Sequence, residues 1–449
     1  MEKRVAVLNV VGLTRSVLAE MPRLRAWSES REVQSFKPAF PAVTCTAQSS
    51  YLTGRPVGEH GIVGNGWYDR EAAEVKFWKQ SNHLVKGKKV WEAAGVSCAK
   101  MFWWYNMYSS ARFTATPRPL YPSDGRKFFD IHTQPMEMRE EIKADLGDFP
   151  FLAFWGPKAG IASSQWIADS ARWIEKREKP QLNLVYLPHL DYGLQKYGPG
   201  ASEMAAEYAA IDAVTCDLID FLEGRGVEVL VLSEYGISRV SRPIHLNRIF
   251  REKGWIQVKD ELGRETLDCG GCRAFAVADH QVAHVYVNDG SIADEVRQVV
   301  RETAGVEEIR EGASLWGDGV GAQRGGDFVA VSEEDAWFTY YFWDDDAKAP
   351  DYARCIDIHR KPGYDPVELF LDPAIQFPLL KIGAFLAKKK LGLRGLMEVI
   401  PLNATLVKGS HGRDTVSPDE QPVVIGAEAG SVTSAEGVFD WIRSALWEG

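Results

Sequence analysis

The sequence predicts an α/β protein built on a mostly parallel sheet, and three observations predict it. Short, mostly apolar runs at 5–11, 182–187 and 227–233 have the length and composition of strands buried on both faces. Longer segments with helical spacing of apolar residues lie between them, at 16–30, 164–176 and 203–222. This alternation implies crossover connections, which parallel strands require.

The first strand ends at Gly12-Leu13-Thr14, a turn that lacks the glycine pattern of a dinucleotide-binding loop. From 67 to 104 the chain is aromatic and basic, and Phe102-Trp103-Trp104-Tyr105 is read as either a core strand or the wall of a substrate pocket. Residues 100–160 are weakly periodic and hold Arg118, Arg126 and Lys127, which fits a covering insertion with guanidinium groups available to a phosphate. The long helix at 203–222 is closed by Gly224, and the third buried strand leads into Ser233-Glu234-Tyr235-Gly236. Strand patterns at 273–278 and 283–287, with a helix at 293–303, fit a small cap around 241–290. Further strands are expected at 328–331 and 337–343, a basic helix at 379–391 and a last helix at 434–447. The whole chain, 1–449, reads as one domain carrying these inserted segments.

Composition narrows the function. A net charge of −10 argues against protein-wide affinity for a nucleic acid polymer. No apolar run approaches the roughly 18 residues of a membrane span. Six cysteines scattered through 449 residues suit a reducing, cytoplasmic setting. Cys269-Gly270-Gly271-Cys272 has no second pair, so two structural thiols are expected there rather than a zinc knuckle.

The most informative stretch is Phe40-Pro41-Ala42-Val43-Thr44-Cys45-Thr46-Ala47-Gln48-Ser49-Ser50-Tyr51-Leu52-Thr53-Gly54. Its pattern places Thr44 at or just before a helix N-terminus, where free N–H groups and the dipole favour an anion or an ionised alkoxide. The bland alternative is that Thr44 caps the helix.

This stretch, running on through His60-Gly61-Ile62 to Asn65, resembles the nucleophile segment of the alkaline phosphatase superfamily. The branch it is most similar to is that of nucleotide pyrophosphatase/phosphodiesterases and phosphonoacetate hydrolase. The resemblance implies an alkaline-phosphatase-like three-layer sandwich with inserted cap segments. It also implies that Thr44 is the nucleophile and that Asn65 holds the transferred phosphoryl oxygen.

The remaining catalytic positions match in part. His189-Leu190-Asp191-Tyr192-Gly193-Leu194-Gln195 resembles a metal-binding segment with Asp191 kept and Gln195 where a histidine is expected. Glu234 and Tyr235 stand where the family has Asp-His, and His411 keeps the last histidine. Val11 replaces the first-strand aspartate, with Asn9 two residues upstream at an altered-ligand or substrate position. Two zinc ions need more anionic and imidazole donors than these. The expectation is therefore one divalent ion, zinc or manganese, on Asp191, Glu234 and His411, with a second only if further ligands join. Tyr235 is either a hydrogen-bond donor to phosphate or a phenolate ligand. His189 and the Asp279-His280 pair are expected to be structural first.

Two functions follow. One is a hydrolase of a small phosphoester, phosphodiester or phosphonate metabolite acting through phospho-Thr44. The other is a catalytically degenerate relative that binds a phosphorylated metabolite or partner.

Overall fold

The computed structural model describes residues 3–124 and 126–447. Twelve strands matter to the site: β1 Val5–Val10, β2 Glu32–Ser35, β3 Cys98–Met101, β4 Phe113–Pro117, β5 Ile131–Gln134, β6 Leu182–Leu187, β7 Glu228–Leu232, β8 Ala274–Asp279, β9 Val282–Val287, β10 Val306–Glu311, β11 Phe328–Ser332 and β12 Val423–Gly426. The central sheet runs β2-β12-β7-β1-β6-β3-β4-β5. Its middle is parallel: β1 pairs with β6 and β7, β3 with β6, and β4 with β3. The edges are antiparallel, through β5 on one side and the β2–β12 pair on the other.

Every residue of β1 and β6 is buried, so helices cover both faces and the fold is the expected mixed α/β sandwich with a mostly parallel sheet. The helices Ile161–Arg177 and Met204–Glu223 pack on each other and on β6 and β7. The Thr44–Thr53 helix packs on Gly437–Ala445. One continuous core joins these layers, with Leu8, Leu184, Leu230 and Trp441 buried in it.

A smaller antiparallel sheet, β8-β9-β11-β10, has its own core around Phe250, Val285 and Phe338. It touches the site through the turn after β8, where Asp279 and His280 lie.

Three local expectations change. The helix expected at 16–30 is two helices, Arg15–Ala19 and Pro22–Ser28. Proline at 22 pushes Met21 out of helical geometry (φ −112°, ψ 84°) and breaks the run. The aromatic stretch after Met101 is not a strand: Phe102, Tyr105 and Tyr108 have positive φ, and Asn106 Nδ2 holds the resulting loop by donating to Ala115 O at 2.8 Å. The strand expected at 337–343 is short, Ala336–Phe338, and the rings that follow it are packed in a separate core.

Candidate active site

The Thr44–Thr53 helix is buried along its whole length, although six of its ten residues are polar. Each polar side chain has a partner, as burial demands. Thr46 Oγ1 donates to Ile62 O at 3.0 Å, and Ser50 Oγ meets His60 Nε2 at 3.0 Å. His60 Nδ1 accepts from Ile62 N, so His60 ties the helix to the loop that carries Asn65. Gly54 ends the helix with φ +62°, and a Cβ there would stand 2.9 Å from the Phe439 ring.

Thr44 is the first residue of this helix, and it does not cap it. Val43 takes the cap position without a side-chain hydrogen bond. Asn65 satisfies the helix start from outside, its Oδ1 accepting from Cys45 N at 3.0 Å. The Thr44 hydroxyl instead shares a 3.0 Å hydrogen bond with the Tyr235 hydroxyl, which lies 3.4 Å from Asp191 Oδ1. Thr44, Tyr235 and Asp191 all open onto one cavity of about 2240 Å³, walled by Trp78, Trp104 and Tyr364.

The carboxyl ends of β1, β6 and β7 meet there, as they do in open parallel sheets that bind ligands. Asp191 comes from the helix after β6, and Glu234 and Tyr235 from the loop after β7. His411 follows the short strand Gly409–Ser410. The structure therefore gathers every predicted position: Asn9, Thr44, Asn65, Asp191, Gln195, Glu234, Tyr235 and His411.

Their roles are uneven. Glu234 is fully buried; its Oε1 accepts from Asn9 Nδ2 at 2.6 Å and from Gln48 Nε2 at 2.7 Å. Its Oε2 and the Asn9 Oδ1 have no hydrogen-bond partner. Asn9, two residues before the position that Val11 fills, therefore serves the site by gripping Glu234. Gln195 is occupied at both ends, donating to Asp191 Oδ2 at 2.8 Å and accepting from Tyr364 at 2.9 Å. His411 Nδ1 must be the protonated nitrogen, because it lies 2.7 Å from the carbonyl of Ala42. That leaves Nε2 as a lone pair 3.7 Å from Asp191 Oδ1. Burial keeps His411 neutral, with a pKa near 3, so this contact is no ion pair.

Burial raises the acids. Asp191 stands at about 7 and Glu234 at about 8, each because its charged form is desolvated and only partly relieved by hydrogen bonds. Asp279 is raised to about 7 for the same reason while it accepts from Asn65 N at 2.8 Å and Asn65 Nδ2 at 3.0 Å. His189 lies 2.7 Å from Glu207, and His280 stacks on Tyr364 at 3.6 Å. Gln48, one turn along from Thr44, and Tyr364 were missed in the sequence. The i, i+4 spacing from Thr44 is the signal that would have found Gln48.

The two-ion centre that the resemblance implies does not fit these residues. Val11, Gln195 and Tyr235 occupy three of its donor positions. Among the described residues no group of three or more His, Cys, Asp or Glu side chains is placed to hold a metal ion. Glu234 Oε2 has no partner and His411 Nε2 lies 3.7 Å from Asp191 Oδ1, but these three side chains do not converge as one such group.

The mostly parallel sheet under its covering helices is an alkaline-phosphatase-type fold, and a hydroxyl at a helix start lies beneath its strand ends, flanked by buried carboxyls. The chain belongs to the Type I phosphodiesterase / nucleotide pyrophosphatase family, a family of hydrolases, whose profile it matches over residues 5–365. It is 25% identical over 228 residues to an uncharacterized pyrophosphatase/phosphodiesterase of Schizosaccharomyces pombe, covering 47% of this chain and 40% of that one. To the human ectonucleotide pyrophosphatase/phosphodiesterase family member 1 it is 23% identical over 228 residues, covering 48% and 21%. The match thus spans less than half the length of these curated relatives. In structure it is similar to murine ectonucleotide pyrophosphatase/phosphodiesterase 5, solved in an inactive form with AMP (TM-score 0.58, 13% identity, 99% and 95% coverage). It is equally similar to Sinorhizobium meliloti phosphonoacetate hydrolase solved with phosphonoformate (TM-score 0.58, 15% identity, 99% and 96% coverage).

Proposed function

We propose that this protein hydrolyses a small phosphodiester, phosphoester or phosphonate with Thr44 as its nucleophile. The observation that carries the proposal is the Thr44 hydroxyl itself: uncapped, at a helix start, on the cavity, and hydrogen-bonded towards Asp191 through Tyr235. The Thr44 oxygen attacks phosphorus as its proton passes to the Tyr235 oxygen and the Tyr235 proton passes to Asp191. The bond to the leaving oxygen (or carbon, in a phosphonate) breaks with its electron pair staying on that atom, which takes up the proton now on Asp191. Water then attacks phospho-Thr44, giving its proton to Asp191 as the Thr44 oxygen leaves and is reprotonated through Tyr235. A base whose pKa stands near 7 is matched to that transfer at neutral pH. Glu234, raised to about 8, is uncharged at pH 7 and so does not repel the phosphoryl oxygens. Asn65 is held by Cys45 N and Asp279, and its second Nδ2 hydrogen is the one it has left to offer to one of those oxygens.

A single divalent ion, zinc or manganese, would meet Asp191 and His411, with Glu234 or Thr44 joining, and Asp191 would then be a ligand in place of the base. Bound there it supplies positive charge for the phosphoryl oxygens. The relatives solved with AMP and with phosphonoformate favour a small phosphorylated or phosphonate substrate. All six thiols are free, which supports a reducing, cytoplasmic location. Among the described residues no helix is long and apolar enough to cross a membrane.

The second reading, a binding protein with a dismantled metal site, is favoured by the Gln195 bridge between Asp191 and Tyr364. One experiment separates them: a panel of nucleotide diesters, monoesters and phosphonates, with and without added zinc or manganese, on the wild type and Thr44→Ala. Turnover that Thr44→Ala abolishes supports the hydrolase. Binding without turnover under every condition supports the second reading.

A further inference from the structure

The helix Pro378–Lys390 has no buried residue, although its sequence, PLLKIGAFLAKKK, is mostly apolar. From Phe377 to Leu396 seven large apolar side chains, among them Leu379, Leu380, Leu391 and Leu393, are between 50% and 77% exposed. Water-facing leucines at this density mark a contact surface. The same stretch carries Lys381, Lys388, Lys389, Lys390 and Arg394, with no Asp or Glu between Gln376 and Met397, in a chain whose net charge is −10. The patch continues onto Tyr121, which is 58% exposed, and Phe129 beside Lys127. Lys389 Nζ joins the two parts by donating to Lys127 O at 2.9 Å.

We propose that this patch docks the protein onto an anionic membrane surface. Apolar side chains interleaved with lysines are what the lipid interface selects: the rings and leucines enter the headgroup–acyl boundary and the ammonium groups meet the phosphates. A second copy of this chain fits worse, because a two-fold contact through this stretch would bring together two sets of five cations with no Asp or Glu in the stretch to pair them. Docking also orients the site. Ile382, Phe385, Lys389 and Leu393 line the same cavity that reaches Thr44, so its mouth lies beside the docked helix. The docking does not depend on the hydrolase reading.

The test is flotation of the full chain with phosphatidylcholine vesicles, neutral or containing about a third phosphatidylserine. The expected result is binding to the anionic vesicles at least about tenfold stronger than to neutral ones, weakened by salt. Lys388→Glu/Lys389→Glu/Lys390→Glu and, separately, Leu380→Asp/Leu391→Asp should each remove most of it. Equal or absent binding to the two vesicle types overturns the proposal, as does wild-type-like flotation of both variants. So does a wild-type dimer in sedimentation that Leu380→Asp dissociates. If a variant melts early, the comparison of the two vesicle types with wild type still decides.

Discussion

Tyr235 lies flat against His411, ring centroids 3.6 Å apart and planes 8° from parallel, while its hydroxyl bonds to Thr44. The phenol thus covers one face of the His411 ring and links Thr44 to Asp191. The surrounding site has three raised carboxyls and no paired cation.

The nucleophile assignment predicts that Thr44→Ala lowers turnover on the order of 10³-fold or more, with Thr44→Ser retaining a measurable part. Thr44 makes its resolved side-chain hydrogen bond only to Tyr235, so the loss in stability should stay near 1 kcal/mol. Steady-state kinetics beside a urea titration checks both; unchanged turnover in Thr44→Ala removes Thr44 from the mechanism.

Restoring imidazoles should restore metal affinity. Gln195→His/Tyr235→His adds two nitrogen donors beside Asp191 and His411, and zinc affinity should rise at least about tenfold over wild type. Elemental mass spectrometry of the purified proteins and calorimetric titration measure it. Equal zinc content in both would show that these positions do not face a common ion.

Relative to Glu234→Gln, metal-free wild type should lose stability as pH rises from about 5 to 8. Asp191, Glu234 and Asp279 have folded pKa values of about 7, 8 and 7, above their ordinary 3.8, 4.5 and 3.8. The folded state therefore holds protons that the unfolded state has released, and this stabilisation is lost as pH rises through those values. The buried histidines act oppositely but lower: His60 and His411 near 3 and His284 near 4, against 6.5 unfolded, are destabilising only as pH falls below 6.5. Lys100, pushed down to about 7 by burial, also acts oppositely above pH 7, so the measurement is a difference. In chelator, the melting temperature of wild type minus that of Glu234→Gln, which keeps an acceptor for Asn9 and Gln48, should decline from about pH 5 to 8.

Asn65 and Asp279 form a structural pair. Asn65→Ala strands the Cys45 N–H and takes the Nδ2 donor from the buried Asp279 carboxyl, which keeps only the backbone N–H of residue 65. The expected cost is about 2–4 kcal/mol. A urea midpoint within error of wild type would show that the loop does not depend on this contact.

The runs at β1 and β6 were legible because strands covered on both faces are mostly apolar, with Asn9 and Asn183 their one amide each, and the helix that starts at Thr44 was legible because its segment is long and ordered. The antiparallel edge was not: Glu32–Ser35 is four residues with one apolar side chain, and its partner β12 lies nearly 400 positions on. Asn9 looked out of place because a strand position says nothing about which side chain across the sheet will reach back to it. Glu234, from the end of the neighbouring strand, does. The aromatic run after Met101 shows the opposite failure, since ring-rich composition suits a strand while backbone turns at Phe102 and Tyr105 make it a loop.

The placement of β12 between β2 and β7 carries a consequence for biosynthesis. Val424 and Ile425 pair with Leu232 and Val231 on one side, and Ser35 to Glu32 close on the other. Until the ribosome has delivered residues 423–426, the nascent chain holds an apolar strand, β7, with one open margin and a short strand, β2, with no neighbour. The half-made protein therefore exposes an adhesive seam that only its own last segment fits, and a chaperone clamped there would have to leave before that segment could enter.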